Sequence, residues 1–154
     1  RDAPGRARRR VAHGDTIWST VRPNLRAHAL VLEPGKEWVA STGFAVLTPV
    51  QVPFSYLYLL ITQDQFVSYL TGQATGSAYP AVTGRTFAEA TVLRPPELVL
   101  ERFHAIVGPL LTEAETLKRT STVASSARDL LLPRLISGEV DVEELDIPIG
   151  EAAA

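Results

Sequence analysis

The apolar residues of this chain change their spacing at Pro95-Pro96, and a fold has to bury two different patterns on either side of that break. Beyond it, Val99, Phe103, Ile106, Leu110, Leu117, Ala124 and Leu131 recur at intervals of three, four or seven. That spacing puts them along one seam of a long helix that packs on another helix. Pro95-Pro96 followed by Glu97 and Glu101 suits a helix start, since acids favour the positive end of the helix dipole. Gly108-Pro109 works against continuity, because an interior proline costs about 3 kcal/mol. Thr120-Ser121-Thr122 and Ser125-Ser126 lower propensity further. The sequence therefore predicts a kinked helix, or two collinear pieces, over residues 97–137 and ending near Ser137-Gly138.

Before Pro95 the runs are short. Ile17, Ser19 and Val21 alternate with Thr16, Trp18 and Thr20, and Ala29–Leu32 is apolar, so two strands are expected on either side of Arg22-Pro23-Asn24-Leu25-Arg26. Trp38–Ala40 and Phe44–Leu47 predict two more around Ser41-Thr42-Gly43, with Phe44 in the core. Ser55 is expected to cap one amphipathic helix that runs to Tyr69, with Leu57, Leu60, Ile61, Phe66 and Leu70 on its buried face and Gly72 ending it. Thr86-Phe87 suggests a short turn, and Ala90–Leu93 a returning strand. The fold class is α+β: a loose basic leader over 1–10, a small mixed domain over 11–94, a helical spacer over 95–138 and an acidic tail over 139–154.

With 154 residues, 45% of them hydrophobic, the chain can bury the core of one domain. It has no cysteine, which excludes disulfides, thiolate metal sites and a cysteine nucleophile. Its longest apolar runs fall well short of the ~20 residues that cross a bilayer, and no signal peptide is legible, so a cytoplasmic protein without a membrane partner is expected. The net charge of −2 conceals an asymmetry. Residues 1–94 carry ten basic against six acidic side chains, a net of +4, whereas residues 95–154 carry five against eleven, a net of −6. Arginine outnumbers lysine thirteen to two, which suits bidentate contacts to phosphate or guanine and equally a GC-rich genome.

Catalytic and cofactor chemistry finds no support. The histidines His13, His28 and His104 fall in different elements without metal-ligand spacing, and the acids from Glu139 onward lack the pattern of a calcium loop. No phosphate-binding glycine loop precedes a Lys-Ser or Lys-Thr pair, and Gly76-Ser77 lacks the second glycine of a nucleophile elbow. Neither a metal nor a cofactor is expected. Thr75-Gly76-Ser77-Ala78-Tyr79-Pro80-Ala81-Val82 reads as a binding loop or as an ordinary polar turn: Gly76 permits a positive φ, Pro80 stiffens the frame, and the hydroxyls can bond phosphates or base edges.

Three segments follow one order and spacing: Gly14-Asp15-Thr16-Ile17-Trp18-Ser19-Thr20-Val21-Arg22-Pro23-Asn24, then Ser41-Thr42-Gly43-Phe44-Ala45-Val46-Leu47, then Thr75–Val82. Together they resemble the target recognition domain of the specificity subunit of type I restriction-modification systems. Asp129-Leu130-Leu131-Leu132-Pro133-Arg134-Leu135-Ile136-Ser137-Gly138-Glu139-Val140 resembles the end of that family's helical spacer. The resemblance covers residues 14–141, and its last two motifs are the more specific ones. It implies a non-enzymatic reader of double-stranded DNA. In that family two recognition domains each read half of a split target, held apart by two long helices that pair as an antiparallel coiled coil. This chain would supply one domain and one helix, with methyltransferase subunits as partners and restriction subunits joined through them. Only thirteen residues precede the Gly-Asp motif, so the expectation is a C-terminal fragment of a longer subunit. A lone half should self-associate as a homodimer through Val99, Phe103, Ile106, Leu110, Leu117, Ala124 and Leu131.

Specific DNA binding needs a positive surface and a few donors aimed at base edges, and the basic half carries both. Arg22, Asn24 and Arg26 share one connection, where Arg suits guanine and Asn adenine; Thr42, Thr75, Ser77 and Tyr79 are the further candidates. The rival reading is a protein-interaction adaptor whose helix oligomerises and whose domain holds a peptide. A serine hydrolase built on Ser77 is the weakest alternative.

Overall fold

Strand order follows from where the short apolar runs can pair. The computed structural model describes residues 7–140. In chain order its elements are β1 (Ala7–Arg10), β2 (Thr16–Ser19), β3 (His28–Leu30), β4 (Val39–Ser41), β5 (Phe44–Leu47), α1 (Phe54–Thr62), α2 (Asp64–Gln73), α3 (Gly84–Ala88) and α4 (Glu97–Ile136). Strand β2 is central in a three-stranded antiparallel sheet of order β3-β2-β5, with Trp18 opposite His28 on one side and Ala45 on the other. A second antiparallel pair joins β1 to β4, with a bulge between Ala7 and Arg9. Contacts divide the chain into two units, one ending at Glu113 and one beginning at Ala114, so the division falls inside α4.

The pleat of β2 selects the core. Thr16 and Trp18 point inward and are fully buried, whereas Ile17 and Ser19 on the opposite face are half-buried. Trp18 packs with Ala45, Ile61, Phe66, Val67, Leu70, Val82 and Phe87, so one core joins the sheet to α1, α2 and α3. The Gly-Asp motif closes the start of β2: Gly14 has φ 86, a conformation glycine adopts without strain, and the Asp15 carboxylate accepts the Ala12 N–H at 2.7 Å.

Several expectations are corrected here. Ala7–Arg10, assigned to a loose leader, is strand β1 paired with β4. The helix expected from Ser55 to Tyr69 is two helices, interrupted at Gln63, whose ψ of 152° is extended. Ser55 makes no cap: Pro53 holds that position, and Ser55 is buried with its hydroxyl 2.9 Å from Nδ1 of His104. Leu57 and Leu60 are half-buried, while Ile61, Phe66 and Leu70 are buried as expected. Gly72 lies within α2, which ends one residue later. Ala90–Leu93 forms no strand; the Tyr56 hydroxyl donates to the Leu93 carbonyl at 2.6 Å, supplying that acceptor with a side-chain partner. Phe44 is exposed, because Ala45 takes the inward position of β5.

Helix α4 is uninterrupted through Gly108-Pro109 and Pro133, so the two-piece alternative is set aside. In the unit ending at Glu113, Leu100 and Gly108 are buried and Phe103, His104, Val107 and Leu111 half-buried, all on one helical face. Phe103 meets Tyr56 edge-on, with ring centroids 5.9 Å apart, and His104 meets Phe54 at 5.1 Å. A Cβ on Gly108 would stand 2.8 Å from the His104 ring, so the missing side chain is what lets the ring lie over that turn. In the unit beginning at Ala114, Leu117, Ala124 and Leu131 are exposed, and Thr120 and Thr122 return their hydroxyls to the carbonyls of Thr116 and Lys118. Residues 141–154 of the expected acidic tail and residues 1–6 of the leader lie outside the described residues.

Candidate nucleic-acid interface

Three segments far apart in sequence meet just past the end of β2. The Thr20 N–H and hydroxyl both donate to the Gly43 carbonyl, at 2.9 and 3.0 Å, and the Thr20 carbonyl accepts the Val82 N–H at 2.8 Å. Val21 bridges Ala81, and the Arg22 N–H donates to the Pro80 carbonyl at 2.7 Å. Main-chain bonds thus tie together the Thr42-Gly43 turn, the 3-10 turn Pro23–Leu25 and the Thr75–Val82 loop. Of the candidates, Arg22, Asn24, Thr42, Thr75, Ser77 and Tyr79 are all exposed on these three connections.

The loop is closed at its base. Thr75 and Ala81 exchange both main-chain bonds, Thr75 N–H to Ala81 at 3.0 Å and Ala81 N–H to Thr75 at 2.8 Å, so Gly76–Pro80 form its tip. Gly76 sits at φ 102, and a Cβ there would stand 3.2 Å from the Tyr79 carbonyl oxygen, so only glycine fits the turn. Tyr79 is 68% exposed at the tip. The Arg22 guanidinium lies 4.6 Å from the Tyr79 ring centroid and donates from Nη2 to the Ala78 carbonyl at 3.3 Å.

Arg22 and Arg26 flank the 3-10 turn, and both have left-handed backbones, at φ 51 and 53. An L-residue pays about 1–2 kcal/mol for that region. The buried Pro23 and the Arg26 N–H bond to the Pro23 carbonyl hold the turn against that cost. Replacing Arg22 with glycine should therefore give a protein about 1 kcal/mol more stable than the alanine variant, a difference that chemical denaturation measures directly.

Arg26 is placed differently from its neighbours, since its guanidinium forms an ion pair with Asp64 at the start of α2. Reasoning from sequence did not single out that partner, nor Thr20, whose main chain joins all three segments. Alternation along β2 could have marked Thr20 as the continuation of its inward face. Asp64 carries no local signal, because the interruption at Gln63 involves neither glycine nor proline. Among the described residues no cluster of three metal-ligating side chains occurs, and no helix is long and apolar enough to cross a membrane.

No family model matches the chain. Among curated proteins it is 33% identical over 70 residues to the type I restriction enzyme MjaIX specificity subunit of Methanocaldococcus jannaschii, covering 46% of this chain and 16% of that protein. Over 115 residues it is 24% identical to the HindI specificity subunit of Haemophilus influenzae, covering 71% of this chain and 25% of that one. The fold is similar to the crystal structure of the HsdS subunit from Thermoanaerobacter tengcongensis, with a TM-score of 0.59 and 28% identity over 97% of this chain. It is similar also to a structure of complex assembly and conformational transition of the type I R-M system, with a TM-score of 0.58 and 30% identity over 97% of this chain. The chain spans 39% of each of those solved chains. In sequence and in fold, the chain is similar to part of a type I restriction enzyme specificity subunit.

Proposed function

We propose that this chain reads one half of a bipartite double-stranded DNA target and carries out no chemistry of its own. Residues 11–94 would form the recognition domain and 95–138 the spacer, docking a partner helix and methyltransferase subunits, with restriction subunits joined through them. The observation that carries the proposal is the convergence of three exposed, hydroxyl- and arginine-bearing connections on one backbone-locked edge of the basic half. Phosphate contacts would position the domain and a few donors would read bases. Arg22→Ala and Tyr79→Ala should each weaken binding to the preferred half-site by about 1–3 kcal/mol in a fluorescence titration. Unchanged affinity in both would remove these loops from the interface.

A protein-interaction adaptor has one observation in its favour, a cavity of about 460 Å³ lined by apolar side chains such as Leu59, Leu60, Phe66 and Phe103. Salt separates the two readings. A DNA reader loses affinity steeply through counterion release, with a log–log slope of about −2 or steeper for two or three neutralised phosphates.

Ile106, Leu110 and Leu117 remain more than half exposed on α4. The isolated chain should bury that stripe in an antiparallel, two-fold homodimer. Light scattering at micromolar concentration should report twice the chain mass, and a monomer would contradict the pairing.

A further inference from the structure

We infer that Arg22 reads a guanine through the major groove and that Tyr79 is a positioning residue that holds the guanidinium ready for it. The inference rests on the DNA-reading function proposed above and assigns one base and two distinct roles within it. Arg22 is exposed, yet it is fixed three times over: by a left-handed backbone at φ 51, by the main-chain bond to Pro80, and by its guanidinium. That group uses one N–H of Nη2 on the Ala78 carbonyl, and its Cζ lies over the Tyr79 ring. Among the described residues these are its side-chain partners, so the second N–H of Nη2 stays available beside a parallel N–H, on Nε or on Nη1.

A phosphate also accepts a guanidinium fork, but it does not require one held in place beforehand. Backbone phosphates tolerate a swinging cation, and a strained backbone adds nothing to attraction at that range. Two parallel N–H donors in a fixed fork match O6 and N7 of guanine, and immobilising the fork beforehand removes the rotamer entropy that binding would otherwise cost. Arg26 shows the contrast: it also has a left-handed backbone, but its guanidinium is taken by Asp64. The Tyr79 ring supplies a face for the guanidinium, so its hydroxyl is dispensable to this role.

The test uses the full chain and the duplex it selects from a random pool. Each guanine of that duplex is replaced singly by 7-deazaguanine, which lacks N7, or by inosine, which keeps N7 and O6 and lacks the minor-groove amino group. One guanine should show a loss of about tenfold on 7-deaza substitution and little on inosine substitution. That penalty should vanish in Arg22→Ala and in Arg22→Lys, the latter keeping the charge. It should persist in Tyr79→Phe and shrink in Tyr79→Leu, which loses the aromatic face. A 7-deaza penalty unchanged in Arg22→Ala, or the absence of any sensitive guanine, overturns this inference alone while DNA reading stands. A chain that selects no duplex overturns DNA reading, and the inference falls with it.

Discussion

Replacing Trp18 with alanine should cost about 3–5 kcal/mol of folding stability, the range for deleting a large aromatic from a packed core. Trp18 is fully buried and central in β2, and it packs in the core that joins the sheet to α1, α2 and α3. Its ring also stacks on His28 of β3, with centroids 4.6 Å apart and planes at 20°. His28 in turn meets the Tyr58 ring of α1 edge-on at 5.6 Å. Alanine would leave a void bounded by a strand on either side and helices beneath, elements that cannot all collapse into it. The same strand carries Thr20–Arg22 to the candidate interface, so loosening it should blur the reading edge as well as lower the denaturation midpoint. A loss under about 1 kcal/mol would mean that Trp18 is not the centre of this core.

The sequence carried strands β2 to β5 better than helices α1 and α2, for a physical reason. A period of two needs only four or five residues to show itself, and turn residues such as Pro34-Gly35 and Ser41-Thr42-Gly43 bounded β3, β4 and β5. The interruption between α1 and α2 left no comparable trace: Gln63 takes an extended conformation in which Asp64, first in α2, pairs with Arg26 from a turn 38 residues earlier. A tertiary contact, invisible to a local window, sits at that boundary. Ser55 shows the same limit, since a helix-capping residue type near Pro53 is instead used inside α1 to bond His104 of α4. The candidate residues of the interface were legible as types, but their convergence was not. It depends on main-chain bonds from Thr20, Val21 and Arg22 to two distant loops, and backbone donors carry no residue signature.

The long helix carries two faces, and its apolar spacing marks one of them. The spacing of Val99, Ile106 and Leu110 picks out a stripe that is exposed, while the face that packs in the unit ending at Glu113 is offset from it: Leu100, His104, Gly108 and Leu111, with Phe103 shared. Glycine and histidine hide that second face, because neither counts as apolar in a periodicity. Leu100→Ala is the direct probe of it. The side chain is fully buried, and its removal should cost about 2–5 kcal/mol, as for other buried leucines. The loss should come with loosened contacts from the His104 ring to Ser55 and Phe54, read as faster hydrogen exchange across α1 and the first turns of α4. Leu110→Ala, on the exposed stripe of the same unit, should leave the stability of the monomer within about 0.5 kcal/mol. If α4 were a spacer that did not pack on the domain, both substitutions would be silent in folding. A large cost at Leu100 and none at Leu110 would establish that the domain itself fixes where the helix starts, and hence the direction in which it offers its open stripe to a partner.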